Sequence, residues 1–199
     1  NGELAVVVKS DSPTVATLNA TFDELLSNQT LFSRSDTSTK TWEDYRLLVD
    51  QTSATNLFGD SHTFTYTLQI DTGEGWANVG AGYLLSFSVT SPAYFTDTLT
   101  QTTTKLTNLS GQAQVTVKSN SATVAILSGS YDIIEEEVSF DAPPVTKTWE
   151  DYRISITPES ATNLIGDTET FTVLLEKTTN GTTWSAASGE TIDLSITSP

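Results

Sequence analysis

Lys147-Thr148-Trp149-Glu150-Asp151-Tyr152-Arg153 repeats, residue for residue, the heptad Lys40-Thr41-Trp42-Glu43-Asp44-Tyr45-Arg46, at an offset of 107 positions. Seven identities around a tryptophan lie far beyond chance, so the chain is internally duplicated. The register runs on from there. Thr55-Asn56-Leu57-Phe58-Gly59-Asp60 matches Thr162-Asn163-Leu164-Ile165-Gly166-Asp167, and Thr63-Phe64-Thr65 matches Thr170-Phe171-Thr172. Phe87-Ser88-Val89-Thr90-Ser91-Pro92 matches Leu194-Ser195-Ile196-Thr197-Ser198-Pro199. A second block recurs at an offset of 109: Val8-Lys9-Ser10 matches Val117-Lys118-Ser119, and Thr14-Val15-Ala16 matches Thr123-Val124-Ala125.

The duplicated blocks carry the pattern of β-strands. Phe64, Tyr66, Leu68 and Ile70 alternate with Thr63, Thr65, Thr67 and Gln69, the period of two expected of a strand with one buried face. Tyr83, Leu85, Phe87 and Val89 alternate likewise, as do Ile192, Leu194 and Ile196. Val115 and Val117, then Ala125 and Leu127, continue the pattern, and turn residues such as Gly59-Asp60, Gly73-Glu74-Gly75 and Asn180-Gly181 separate the runs. No stretch sustains a 3.6-residue period. About seven short strands in each repeat is the arithmetic of a β-sandwich, so the predicted class is all-β.

The phase of the repeat sets the expected organisation. Residues 42–141 read as one complete unit, 1–35 as the C-terminal strands of a preceding unit, and 149–199 as the N-terminal strands of a following one. The stretches 36–41 and 142–148 read as linkers, because the pair Pro143-Pro144 ends strands and stiffens a junction. Residues 93–109 are the one long stretch without a second copy. Neither partial unit can bury a sandwich face alone, and unpaired strands invite pairing. In tandem sandwiches the first and last strands leave at opposite poles, so the middle unit is expected to hold the two pieces apart. Completion between chains, head to tail, is the expectation. The alternative is a long natural chain divided at arbitrary points. Both imply a filament or array, and the start at Asn1 without Met is read as a processed or cut chain.

Gly111-Gln112-Ala113-Gln114-Val115-Thr116-Val117-Lys118-Ser119, followed by Ala122-Thr123-Val124-Ala125, resembles the bacterial immunoglobulin-like domains of the invasin/intimin group. Lys-Thr-Trp-x-Asp, with Ala54 to Gly59 and His62 to Thr65, is similar to tandem repeats of large prokaryotic surface proteins. The resemblance implies immunoglobulin-like β-sandwich repeats that space and present other domains at a cell surface. A fold alone does not give a function.

Composition narrows the classes further. Twenty-five acidic side chains oppose 9 basic ones, for a net charge of −16. Phosphate binding needs clustered Lys and Arg, so a nucleic-acid role is excluded and anionic membrane surfaces are disfavoured. No apolar run approaches the ~18 residues of a membrane span. The absence of Cys rules out disulfides, thiolate nucleophiles and thiolate metal sites. Ser and Thr make up about 30% of the chain, which suits an exported stalk better than a cytosolic enzyme.

Candidate site residues are few. His62, the one histidine, sits at a strand start and is expected to be exposed, with no nucleophile and acid placed to form a triad. Glu135, Glu137, Asp141 and Asp151 put carboxylates near the unit junctions, where hard oxygen ligands would hold calcium; a solvated acidic face is the plainer reading. Trp42, Tyr45, Trp149 and Tyr152 are expected to pack between neighbouring units rather than to present a sugar platform. Lys9 or Lys118 with Asn56 or Asn163 would be the pair for an intramolecular isopeptide, against the commoner role of an edge lysine that blocks aggregation. Asn19, Asn28, Asn108 and Asn180 head Asn-x-Ser/Thr sequons, candidate glycan sites at a frequency near chance. The leading expectation is a structural, non-enzymatic protomer of an extracellular filament, sheath or stalk, partnered by copies of itself and needing no cofactor other than calcium. An adhesin module binding carbohydrate or a surface receptor is the runner-up.

Overall fold

A computed structural model describes residues 2–197; Asn1 lies outside the described residues, as do Ser198 and Pro199, which end the block matched to Phe87–Pro92. Fifteen strands follow one another: β1 (Thr14–Leu25), β2 (Leu31–Trp42), β3 (Asp44–Val49), β4 (Ser53–Leu57), β5 (Ser61–Asp71), β6 (Ala77–Asn78), β7 (Leu84–Val89) and β8 (Tyr94–Phe95), then β9 (Thr102–Leu106), β10 (Gln112–Lys118), β11 (Thr123–Ile133), β12 (Val138–Asp141), β13 (Val145–Thr157), β14 (Thr172–Thr178) and β15 (Ser185–Ala186). A single 3₁₀ turn, Ile134–Glu136, separates β11 from β12. No helix among the described residues is long and apolar enough to cross a membrane.

From β3 to the first half of β13 the chain forms two facing sheets. One has the order β3-β5-β10-β8, with β6 added to β5; the other runs β13-β11-β7-β9, with β4 joining β13 in parallel. Lettered from β3, the inner strands are A-B-E in one sheet and G-F-C in the other, with A′ (β4) beside G, the central arrangement of an immunoglobulin sandwich; β8 and β9, the two strands between C and E, lie at the edges beside E and C. The alternation read from the sequence decides which faces meet. Phe64, Tyr66 and Leu68 of β5, Val115 and Val117 of β10, Leu85, Phe87 and Val89 of β7, and Ala125 and Leu127 of β11 form one buried cluster. With no disulfide to pin the sheets, the Tyr66 and Phe87 rings meet edge to face at 4.8 Å between them. Gly129 leaves room for both: a Cβ there would lie 2.9 Å from each ring.

The two expected linkers are strands, which corrects the boundaries drawn from sequence. Residues 36–41 lie within β2, paired along their length with β1, and 145–148 open β13, paired with β11 on one side and β4 on the other. Pro143 and Pro144 end β12 without ending the sheet. Their missing N–H groups fall at an exposed break, between the Ala142 amide that donates to Gly129 O at 2.9 Å and the Val145 that pairs Leu127. The complete sandwich therefore closes at Glu150, not at 141, and β13 passes without interruption into Asp151–Thr157, which pairs β14. At the other junction β2 ends at Trp42 and β3 begins at Asp44. Both copies of the heptad thus join the last strand of one unit to the first of the next.

Candidate functional site: two half-sandwiches with open cores

The duplicated heptad folds alike in both copies. Tyr45 Oη donates to Glu43 at 2.8 Å and Tyr152 Oη to Glu150 at 2.9 Å; the Arg46 guanidinium lies 4.4 Å from the Trp76 ring centroid and that of Arg153 lies 4.5 Å from Trp184. Lys177 beside Glu150 holds that carboxyl below the usual carboxylate range, and the Glu150 hydrogen bond pushes the Tyr152 phenol up to about 12. The upstream segment keeps its geometry too. Ser10 Oγ donates to Ser12 O at 2.7 Å, as Ser119 Oγ does to Ser121 O at 2.8 Å.

What differs is the partner. In the middle sandwich Val115, Leu127, Phe64 and Val89 are 0–4% exposed, whereas their repeat counterparts Val6, Leu18, Phe171 and Ile196 are 46–99% exposed. Residues 2–10, the counterpart of β10, pair with no strand among the described residues. The hairpin β1-β2 copies the β11-β13 pair, Thr14 facing Trp42 as Thr123 faces Trp149, and among the described residues forms a two-stranded sheet of its own. Downstream, Ile154, Ile156, Phe171, Val173, Leu194 and Ile196 line an open apolar groove of about 780 Å³. Each of the six occupies the place of a core-facing residue of the middle unit. Both outer pieces thus expose apolar faces whose counterparts are buried in the middle sandwich.

Trp149 is not an interdomain spacer. Its side chain is fully buried in the middle core and its Nε1 donates to Asp60 O at 2.9 Å, because the strand that carries it is the last of the sandwich and not a linker. Its copy Trp42 is half-buried at the end of β2. Tyr45 joins Tyr83, Tyr131 and Phe140 in an aromatic cluster flanking the core, with centroids 5.1 Å from Tyr131 and 5.5 Å from Phe140; burial, then Glu43, raises its phenol. Tyr152, half-buried, reaches Glu150 and Glu190.

The four proposed calcium ligands are not gathered, and no group of three metal-ligating side chains occurs among the described residues. Glu135 and Glu137 belong to the tight turn after β11, Asp141 accepts from Ser139 at the end of β12, and Asp151 Oδ1 accepts the Tyr152 N–H. They fall on different turns and strands. His62, expected to be exposed, is half-buried, with Nε2 2.7 Å from Gln51 Nε2 and its ring against Phe64; burial, then the Lys147 charge, lowers its pKa. Lys118 sits on β10 and Asn56 on β4, in opposite sheets, while Lys9 pairs with Asp11 at 2.6 Å. The lysine that sequence reasoning missed is Lys147, wholly buried, donating to Thr148 O at 2.8 Å and lying over the Trp149 ring at 4.4 Å. Its strict alternation with Val145 and Trp149 was the available signal. Asn19, Asn28, Asn108 and Asn180 are all exposed, and the last three hold their own turns through Oδ1.

No family model matches the sequence, and no curated protein is similar to it. Among solved structures the chain is similar to one described as the D0-D1 domain of intimin, at 19% identity and a TM-score of 0.36, over 70% of this chain. The chain spans 65% of that structure's length. The neighbour comes from the group that the sequence resembles. At this TM-score the likeness adds no weight, and the immunoglobulin-like assignment rests on the strand order described above.

Proposed function

We propose that the chain is a structural protomer of an extracellular filament, sheath or stalk, assembled head to tail by strand complementation between copies. The observation that carries this reading is the pair of open half-cores whose counterparts are buried against each other in the middle sandwich. The upstream piece offers strands E, F and G (residues 2–10, β1 and β2); the downstream piece offers A, A′, B and C. Joined, they make both sheets, lacking only the two edge strands between C and E. In the middle unit those two are β8 and β9, the outermost strands of their sheets. A core missing only its edge strands still closes.

The energetics support the same reading. Burying seven Leu, Ile, Val or Phe side chains that are now exposed contributes on the order of 10–20 kcal/mol. Association costs about 4–15 kcal/mol, so this burial is of the size needed to offset it. The direct transition from one unit to the next within β13 suits a stiff, load-transmitting array. A hydroxyl-rich, Cys-free, acidic surface suits an extracellular setting. Sedimentation velocity and negative-stain microscopy of the purified chain test the proposal: concentration-dependent, unbranched, open-ended assemblies support it, and a monodisperse monomer at high micromolar concentration refutes it.

A second reading has one observation behind it. The outer face of β9-β7-β11 holds an open groove of about 770 Å³ lined by Ser86, Ser88, Thr102, Thr104, Ser128 and Ser130, with Asp97 and Asp141 at its margins. Hydroxyls and carboxylates are suitable partners for sugar hydroxyls, and binding on a glycan array that is lost in Ser88→Leu and Ser128→Leu would support a carbohydrate-binding module.

A further inference from the structure

The two half-cores differ from the middle core in a compensated way. In the middle sandwich the bulky Tyr66 faces the small Ala113 across strands β5 and β10, and Gly129 lies beneath the rings of Tyr66 and Phe87. The repeat places Val173 where Tyr66 stands, Leu4 where Ala113 stands, Ala20 where Gly129 stands and Leu194 where Phe87 stands. At these four positions the two downstream side chains are smaller than their counterparts and the two upstream ones larger, while Phe171 keeps the size of Phe64, Ala16 that of Ala125, and Ile196 exceeds Val89. Within the free chain these two pieces belong to separate sheets. Matched size changes have a physical purpose where the pieces share one close-packed core.

The same swap excludes the wrong pairing. Ala20 in the place of Gly129 would set its Cβ 2.9 Å from the Tyr66 and Phe87 rings of a middle sandwich, tighter than packed carbon atoms tolerate. A charge changes in step. Where His62 stands in the middle unit, the downstream piece has Glu169, and the lysine that joins it from the upstream piece is Lys40, the copy of buried Lys147. A carboxylate suits a buried ammonium better than an imidazole does.

Resting on the head-to-tail reading, we propose that Leu4, Ala20, Val173 and Leu194 form a size code through which a second copy of the chain completes the downstream groove while being refused by the middle sandwich. Its test is a rescue series in the full chain, read by sedimentation velocity, with thermal unfolding of the middle sandwich as control. Val173→Tyr overfills the joint and raises the concentration needed for assembly by at least about tenfold. Adding Leu4→Ala and Ala20→Gly to it restores assembly to within a few-fold of wild type, while Leu4→Ala with Ala20→Gly alone weakens it by leaving a void. Wild-type assembly that Val173→Tyr leaves unchanged, or that the triple variant fails to restore, overturns the size code and leaves head-to-tail assembly standing. A wild-type chain that stays monomeric overturns both.

Discussion

Gly129 and Lys147 are the two residues on which the middle sandwich makes its clearest demands. Gly129→Ala drives a methyl group into the Tyr66 and Phe87 rings, and is expected to destabilise the unit by about 1–3 kcal/mol in chemical denaturation. The equivalent Ala20→Gly acts on an exposed strand and should leave that transition unmoved. Lys147 is buried with one backbone acceptor, and burial lowers it from its ordinary 10.5 to about 8. Between those two values the unfolded chain binds more protons than the folded one, so this side chain's penalty is full below about pH 8 and fades as pH rises towards 10. Lys147→Met should therefore be more stable at pH 7 by about 1–3 kcal/mol, and should lose the rise in stability across pH 8–10. A Met variant weaker than wild type at pH 7 would identify the ammonium as a net stabiliser through its contact with Trp149. The demand at Gly129 was not legible in the sequence, and for Lys147 only its alternation with Val145 and Trp149 hinted at burial. A lone Gly in a strand, or a Lys at an inward position, takes its meaning from side chains on other strands.

At the scale of the element, alternation made β5, β7, β10 and β11 readable, since a period of two fixes which face is buried wherever one face is wet. It failed at β13. Pro143-Pro144 interrupts the run at an exposed break, and Lys147 looks polar at a position that faces the core, so the sequence of this buried strand reads as a linker. The correction predicts hydrogen-exchange behaviour. Amides of 145–150, flanked by β4 and β11, should be among the slowest in the chain, whereas those of 191–196 should exchange freely at low concentration and become protected as copies associate. Fast exchange across 145–150 would contradict a continuous last strand. The calcium ligands failed for a different reason: sequence proximity to a junction says nothing about which turn or strand turns a carboxylate towards another.

For the whole molecule, the internal repeat is the plan of the fold and, in the head-to-tail proposal, the template for a partner. The repeat was visible in the sequence, and so was the phase at which its outer copies are represented. The size changes on which the proposed match rests became visible only once Tyr66, Ala113, Phe87 and Gly129 were seen together in the core. Copies carrying a net charge of −16 repel one another, so assembly should strengthen as salt rises from about 20 to 500 mM, in step with the shrinking Debye length. Assembly that weakens with salt would point to ionic contacts rather than shared apolar cores.

The most direct measurement uses the absence of native cysteine. In the middle sandwich Thr116 of β10 faces Thr63 of β5, with their hydroxyls 2.8 Å apart on the outer surface. The repeat carries this pair to Val7 and Thr170, which lie on separate pieces of one chain. Under mild oxidation Val7→Cys/Thr170→Cys is predicted to yield a ladder of covalent multimers with 7–170 disulfides between chains, and each single variant no ladder beyond the dimer. Monomers only, or 7–170 bonds confined within single chains, would contradict head-to-tail complementation.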